Sequence, residues 1–168
     1  MANRVVFLDI DGVLNSTAFF LARREMRGLA GLALTREGDL HDLDGDAIER
    51  LNRIVEATGA KIVVCSTWRL IHDIAWLRSH LAGQGLRAEI IDVTPDIPHG
   101  TRGNEILKWL DAHPGVSSWV VIDDTPSDLR QVRRNVVVTK FETGLLDEHV
   151  QDAIAILGAT QPVSLGAP

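Results

Sequence analysis

Two pairs of aspartates, each placed directly after a short run of large apolar residues, constrain the fold of this chain more than any other feature. Asp9 and Asp11 follow the run VVFL, and Asp123 and Asp124 follow the run WVVI. An apolar run that stops abruptly at acids is typical of a buried parallel strand whose carboxyl end opens into a cleft. Ligands bind at that edge in open α/β sheets. The sequence therefore predicts a cleft lined by four carboxylates.

Carboxylates that share one pocket repel one another. Like charges about 4 Å apart cost roughly 4 kcal/mol per pair at an effective dielectric of about 20, and a divalent cation is the simplest remedy. Oxygen ligands without histidine or cysteine favour Mg²⁺, which commonly binds a substrate phosphate as well. The alternative is that these acids are only turn or capping residues. Two pairs in matching contexts favour the metal site.

Strands and helices alternate along the chain. Strands are expected at residues 5–8, 61–65, 88–91, 119–122 and 135–138. Helical patterns are expected from an N-cap at Asp46, across 71–81, across 106–110, after Pro126 and over 147–157. This alternation indicates βαβ units and an α/β fold, a three-layer Rossmann-like parallel sheet with helices on both faces.

The chain has 168 residues, which fits one domain. We expect that domain to cover residues 1–158, with residues 17–43 as a small cap or lid insertion and residues 159–168 as a flexible tail. Cys65 lies inside an apolar run and is expected in the core. As the only cysteine it suits a reducing compartment.

Charge and hydropathy limit the partners. The net charge of −6 and the pI of about 5.4 argue against a broad electrostatic grip on nucleic acid, which depends on neutralising many phosphates. No apolar run is long enough for a membrane span, and no signal peptide is recognised at the N-terminus. We therefore expect no membrane partner and a cytoplasmic location.

The first pair of acids permits a division of labour. In the segment DIDGVLN, residues two apart on an extended strand project the same way, so Asp9 and Asp11 can reach one site. One acid can then attack phosphorus while the other moves a proton, and an attacking carboxylate forms an aspartyl-phosphate. Gly12 permits a sharp turn that brings backbone N–H groups close to an anion.

Other positions offer groups that hold a phosphoryl charge. Ser66 or Thr67, at the end of the second strand, can donate to a phosphoryl oxygen or cap the next helix, and Arg69 can add a bidentate contact. A basic residue is also needed beside the acids. Arg102 stands at the expected start of the helix before WVVI, and its rival Lys108 falls later, on another face of that helix.

This ordered set resembles the four motifs of the haloacid dehalogenase (HAD) superfamily of phosphatases. DxDG follows the first strand, Ser or Thr follows the second, a basic residue precedes the last motif, and DD follows a later strand. Within the superfamily, DIDGVLN, STWR and RGNEILKWL are similar to small-cap or capless domains. They are also similar to the phosphatase half of polynucleotide kinase-phosphatases and to HAD domains of RNA repair proteins.

The resemblance implies a role for each matching residue near the first two motifs. Asp9 would be the nucleophile and a Mg²⁺ ligand. Asp11 would be the general acid and base, with its backbone carbonyl also touching the metal. Ser66, or Thr67 beside it, would bind the phosphoryl oxygens.

The later motifs would complete the site. Asp123 and Asp124 would bind the metal, and Asp124 is favoured as the direct ligand because Asp124 with Asp128 matches the family's GDxxxD spacing. Arg102 departs from the family's usual lysine, since a guanidinium holds phosphate as a rigid fork rather than as a point charge.

The implied activity is Mg²⁺-dependent hydrolysis of a phosphomonoester through an aspartyl-phosphate. Because little chain is available for a cap, the cleft is expected to admit a large substrate, such as a 3′ or 5′ phosphate on a polynucleotide. The alternatives are a small-molecule nucleotide or sugar phosphatase and a non-catalytic module that recognises a phosphate. Trp68, beside the second motif, is expected to lie in the core or to stack on a base.

Overall fold

A parallel sheet organises the chain, of which the computed structural model describes residues 3–26, 28 and 41–158. The strands are β1 (Asn3–Leu8), β2 (Lys61–Val64), β3 (Ile90–Val93), β4 (Val116–Asp123) and β5 (Val136–Val138). They lie side by side in the order β3-β2-β1-β4-β5, and every pairing is parallel. The predicted α/β fold is confirmed.

Helices connect these strands. They are α1 (Thr17–Met26), α2 (Gly45–Thr58), α3 (Ile74–Gly83), α4 (Arg102–Ala112) and α5 (Asp147–Gly158). Two 3₁₀-helices, Thr67–Leu70 and Pro126–Asn135, follow β2 and β4. No helix in the described ranges is both long and apolar enough to cross a bilayer.

The alternation of side chains along β1 creates the three layers. Val6 and Leu8 belong to a core shared with α2, α3 and α5. Val5 and Phe7 belong to a second core shared with α4 and the 3₁₀-helix Pro126–Asn135. Because β1 is buried on both faces, its sequence is a continuous apolar run rather than an alternating one.

Two local predictions about helix starts were wrong. Asp44, not Asp46, caps α2: its carboxylate accepts from the Asp46 N–H at 2.9 Å. The helix expected across 71–81 begins only at Ile74, because the Asp73 side chain accepts from the Trp76 N–H at 2.8 Å and starts a new helix there. The preceding turn is the 3₁₀-helix Thr67–Leu70.

The expected lid insertion is described only in part. Residues 17–26 form α1, whose first two N–H groups donate to the carbonyls of Phe141 and Glu142 at 3.0 Å. Residues 27 and 29–40 of that insertion, and the expected tail at 159–168, lie outside the described residues. Cys65 is fully buried, as predicted.

The register brings the ends of three strands together. Leu8 pairs with Val64 on one side and with Ile122 on the other. The next residue on β1 continues the ladder, since the Asp9 N–H donates to the Ile122 carbonyl at 3.0 Å. The residues just beyond these positions therefore share one edge of the sheet, as the two pairs of acids predict.

Candidate active site

Three carboxylates meet at this edge. Asp9, Asp123 and Asp124 each offer an oxygen atom within 4.8 Å of the others. Asp9 and Asp123 are buried, with 5% and 0% of their surfaces exposed, whereas Asp124 is partly exposed. Asp124 is therefore the member of the cluster that reaches solvent.

Arg102 lies directly beside these acids. Its Nη1 is 2.9 Å from Asp9 Oδ2 and also contacts Asp123 Oδ2. The guanidinium is placed there because α4 begins at Arg102, after the Thr101 side chain accepts from the Asn104 N–H at 3.3 Å. Lys108 is exposed on the same helix. The geometry therefore favours Arg102 over Lys108 as the basic residue of the site.

The electrostatics of the cluster favour a bound cation. Burial, and then the charge of Asp123, raise the pKa of Asp9 above its usual range, although Arg102 and the Ser66 hydroxyl oppose this. Burial likewise raises the pKa of Asp123. Three carboxylates against one guanidinium leave two net negative charges, which a divalent cation would balance.

The space around Asp124 also fits a metal ligand. Gly12 has φ of 73°, and a Cβ built on it would lie 2.5 Å from Asp124 Oδ2. The absence of a side chain at this position is thus what lets the Asp124 carboxylate reach the cluster. With an all-oxygen donor set and this cradle, the residues fit Mg²⁺. Asp128 is exposed on the 3₁₀-helix that follows and is not part of the carboxylate cluster.

The backbone polar groups of Gly12 itself have partners within the protein. Its N–H donates to Asn15 Oδ1 at 3.0 Å, and the Gly12 carbonyl accepts from Thr139 Oγ1 at 2.7 Å. Both polar groups of the glycine are therefore used inside the protein. Its contribution to the site is the room that it leaves for Asp124.

Asp11 stands apart from the carboxylate cluster, and two donors fix its side chain. Asn15 Nδ2 donates to Oδ1 at 2.8 Å, and Trp68 Nε1 donates to Oδ2 at 2.9 Å. Neither partner was predicted from the sequence. Asn15 lies four residues after Asp11 in the same motif, which is a signal that could have found it. A contact across the fold with Trp68 has no such signal.

Ser66 and Thr67 occupy different environments. Ser66 is fully buried, its hydroxyl bonds to the Asp9 carboxylate, and its oxygen accepts from the Trp68 N–H at 3.4 Å. Thr67 is exposed at the start of the 3₁₀-helix. Of the two candidates, Ser66 is the one in contact with Asp9.

Arg69 is used inside the protein rather than at the cleft. Its Nε donates to the Thr94 carbonyl at 3.0 Å, and its Nη1 donates to the carbonyls of Cys65 and Ser66 at 2.9 and 3.0 Å. Its Nη2 pairs with Glu105 at 2.6 Å. A phosphate would have to displace these partners. Four of its five N–H groups are already donated, so a bidentate contact from Arg69 to phosphate would need at least one of these bonds to break.

Comparison with known protein families gives a match over most of the chain. A sequence model of a family described as "HAD domain in Swiss Army Knife RNA repair proteins" matches residues 5–150. The matched segment includes the carboxylate cluster, Arg102, Asp11 and Ser66. No curated protein and no solved structure matched the chain.

Proposed function

The chain belongs to the family of HAD domains in Swiss Army Knife RNA repair proteins, and on this premise we propose that it is a Mg²⁺-dependent phosphomonoester hydrolase that acts on phosphorylated polynucleotide ends. The family supports phosphatase-type chemistry in general. The observation that carries the proposal is the convergence of Asp9, Asp123 and Asp124 on one small volume beside Arg102.

Asp9 is the nucleophile in this proposal. An oxygen of its carboxylate attacks phosphorus, the bond from phosphorus to the leaving oxygen breaks, and Asp11 gives that oxygen a proton. In the second half, the Asp11 carboxylate takes a proton from water while the water oxygen attacks the same phosphorus. Inorganic phosphate leaves and the Asp9 carboxylate is regenerated. The two donors on Asp11 hold its carboxylate in one orientation for both transfers.

The remaining groups hold the phosphoryl charge. Arg102 already contacts both Asp9 and Asp123, and its guanidinium would also donate to phosphoryl oxygens bound beside them. Ser66 is positioned next to the attacking carboxylate. Mg²⁺, held by Asp9, Asp123, Asp124 and the backbone carbonyl of Asp11, would neutralise charge and orient the phosphate for in-line transfer.

The polynucleotide part of the proposal is supported by the description of the family. It is also compatible with an acidic protein, because a single phosphorylated end can be recognised locally without a broad basic surface. The competing substrates are free nucleotides and sugar phosphates.

The first prediction tests the chemistry. Replacing Asp9 with Asn should abolish Mg²⁺-dependent hydrolysis of para-nitrophenyl phosphate, because an amide is neither a nucleophile nor a good ligand for Mg²⁺. Rates are measured with Mg²⁺ and with excess EDTA, and circular dichroism checks that the variant is folded. The matched control is Asp152→Asn on the exposed surface of α5, which should keep the wild-type rate. A near-normal rate in Asp9→Asn would remove Asp9 as the nucleophile.

Competition between substrates tests the polynucleotide part. Oligonucleotides with a 3′ or a 5′ phosphate are compared with mononucleotides and sugar phosphates at equal concentration, with kcat/KM as the readout. We expect the oligonucleotides to have the highest value. If the small compounds are hydrolysed far faster, the enzyme is a small-molecule phosphatase.

A further inference from the structure

A pocket of about 450 Å³ opens beside Asp11, and none of its lining residues belongs to the carboxylate cluster. Helix α1 contributes Phe20 and Leu21 to its wall, and Trp68 and Phe141 also line it. Its volume falls within the range of about 300–1,000 Å³ that is usual for small-molecule sites. Neither the proposed chemistry nor the family description gives this pocket a role.

The pocket lies where the leaving group of the substrate would extend. In the proposed function, on which this inference rests, Asp11 protonates the leaving oxygen. Any group attached to that oxygen must extend from Asp11, and the pocket is the space that Asp11 itself lines. We propose that the pocket binds the base of the terminal nucleoside, so that the enzyme reads the end of the strand by stacking on it.

The lining residues favour a flat aromatic ligand. Four of the side chains around the pocket carry rings, those of Phe20, His41, Trp68 and Phe141. Aromatic side chains are the usual platforms on which proteins stack unpaired bases. The indole of Trp68 is fixed in orientation, since its Nε1 donates to Asp11. A stacked base would therefore be held at a defined position relative to the proton donor.

Exposed apolar surface at the pocket supports the same occupant. Phe141 is 49% exposed and Leu21 is 57% exposed, and a base inserted between them would cover surface that otherwise faces water.

Arg24 favours a nucleotide over an aliphatic ligand. Its side chain also lines the pocket, which gives the pocket a positive charge beside its rings. A phosphodiester next to the terminal nucleoside would supply the complementary negative charge. An alkyl leaving group would fill the apolar volume but would bring no such charge.

The test isolates the base from the rest of the substrate. Two oligonucleotides with the same length, the same phosphates and the same terminal monophosphate are compared, one with a normal terminal nucleotide and one with a tetrahydrofuran abasic residue there. The pair is made once with a 3′ and once with a 5′ phosphate. Since stacking of a base on an aromatic side chain is worth about 1–3 kcal/mol, kcat/KM for the wild type should fall roughly fivefold or more when the base is removed.

A variant of a pocket residue then tests whether the pocket causes this difference in kcat/KM. Phe141→Ala removes an exposed ring and should narrow the ratio between the normal and the abasic substrate to about twofold or less. The matched control is Ile71→Ala, which truncates an apolar side chain that is 77% exposed and lies outside the pocket. This control should keep the wild-type ratio.

The outcomes separate this proposal from the proposed function. If the wild type hydrolyses both substrates equally well, or if Phe141→Ala and Ile71→Ala keep the same ratio, the pocket does not bind the base and the phosphatase proposal stands. If neither substrate is hydrolysed, the polynucleotide part of the proposed function fails, and fluorescence anisotropy of the same labelled oligonucleotides shows whether the pocket binds the base. A preference for the normal end that Phe141→Ala removes would support the inference, and equal affinity for both ends would overturn it.

Discussion

The Asp11 carboxylate depends on a side chain from another part of the chain. Trp68 Nε1 donates to it at 2.9 Å, and a hydrogen bond to a charged group contributes about 1.5–3 kcal/mol. We predict that Trp68→Phe, which keeps a ring but removes the donor, lowers kcat for an aryl phosphate by roughly tenfold to hundredfold. KM should change little, because the phosphate is held by other residues.

Trp109 provides the matched control for this prediction. Its Nε1 donates to Asp92 Oδ2 at 2.7 Å, so Trp109→Phe removes the same kind of bond away from the carboxylate cluster. We expect this variant to be less stable but to keep its kcat. Equal losses of kcat in the two variants would mean that Trp68 only supports the fold and does not position Asp11.

Gly12 allows a second comparison at the scale of one residue. Gly12 and Gly59 have nearly equal φ angles of 73° and 68°, so replacing either with Ala introduces a similar backbone strain. A Cβ at Gly12 would collide with Asp124 Oδ2, whereas a Cβ at Gly59 has nothing within 4 Å. We predict that only Gly12→Ala weakens Mg²⁺ binding, by tenfold or more, as measured by calorimetry. Similar Mg²⁺ affinities in both variants would contradict the placement of Asp124 in the metal site.

These residues also show where sequence reasoning works and where it fails. Asp9, Asp123 and Arg102 could be predicted to meet, because each stands at the end of a strand or the start of a helix at one edge of a parallel sheet. The role of Arg69 could not, since its partner Glu105 comes from a different element. Spacing along the chain carries no information about such a pair.

The Arg69–Glu105 pair joins two elements of the fold. Arg69 lies just after β2 and Glu105 lies in the first turn of α4, and their side chains are only 4% and 9% exposed. Removing one partner of a buried ion pair leaves an uncompensated charge, which costs roughly 3–5 kcal/mol. We predict that Glu105→Gln lowers the free energy of unfolding by about that amount in urea denaturation.

An exposed pair gives the comparison. Glu49 on α2 pairs with Arg87, and both side chains are more than half exposed, so solvent screens their attraction. Glu49→Gln should therefore lower the free energy of unfolding far less than Glu105→Gln. If the two variants lose equal stability, the Arg69–Glu105 pair does not anchor α4 and hence does not position Arg102.

The accuracy of the predicted elements follows their burial. The predictions for β1 and β2 were close because the residues 5–8 and 62–64 that make up most of these strands are apolar and covered on both faces. The strand expected at 88–91 lies instead at Ile90–Val93, where Asp92 interrupts the apolar pattern. The Asp92 carboxylate accepts from Trp109, so a contact with α4 satisfies a polar group that lies just beyond the strand expected from the sequence.

At the scale of the whole molecule, binding of the metal should raise the stability of the folded protein. The carboxylates of Asp9, Asp123 and Asp124 come from distant parts of the chain, so the unfolded protein has no assembled site. A ligand that binds only the folded state stabilises it, by about 2.7 kcal/mol at a hundred times its Kd. For a domain of this size, that corresponds to a rise in Tm of roughly 5–10 °C.

We therefore predict that saturating Mg²⁺ raises Tm by that amount in thermal unfolding followed by circular dichroism, compared with KCl at equal ionic strength. Asp124→Asn should abolish the rise, because it removes the partly exposed ligand while leaving the contacts of Arg102 with Asp9 and Asp123 in place. Asp152 lies on the exposed surface of α5, outside the carboxylate cluster. The variant Asp152→Asn should therefore retain the rise in Tm. Since Mg²⁺ can also act by screening a protein with a net charge of −6, the difference between the two variants is the decisive quantity. Equal rises in Tm for both would mean that the stabilisation comes from this screening or from another site, and that the three carboxylates do not bind the ion together.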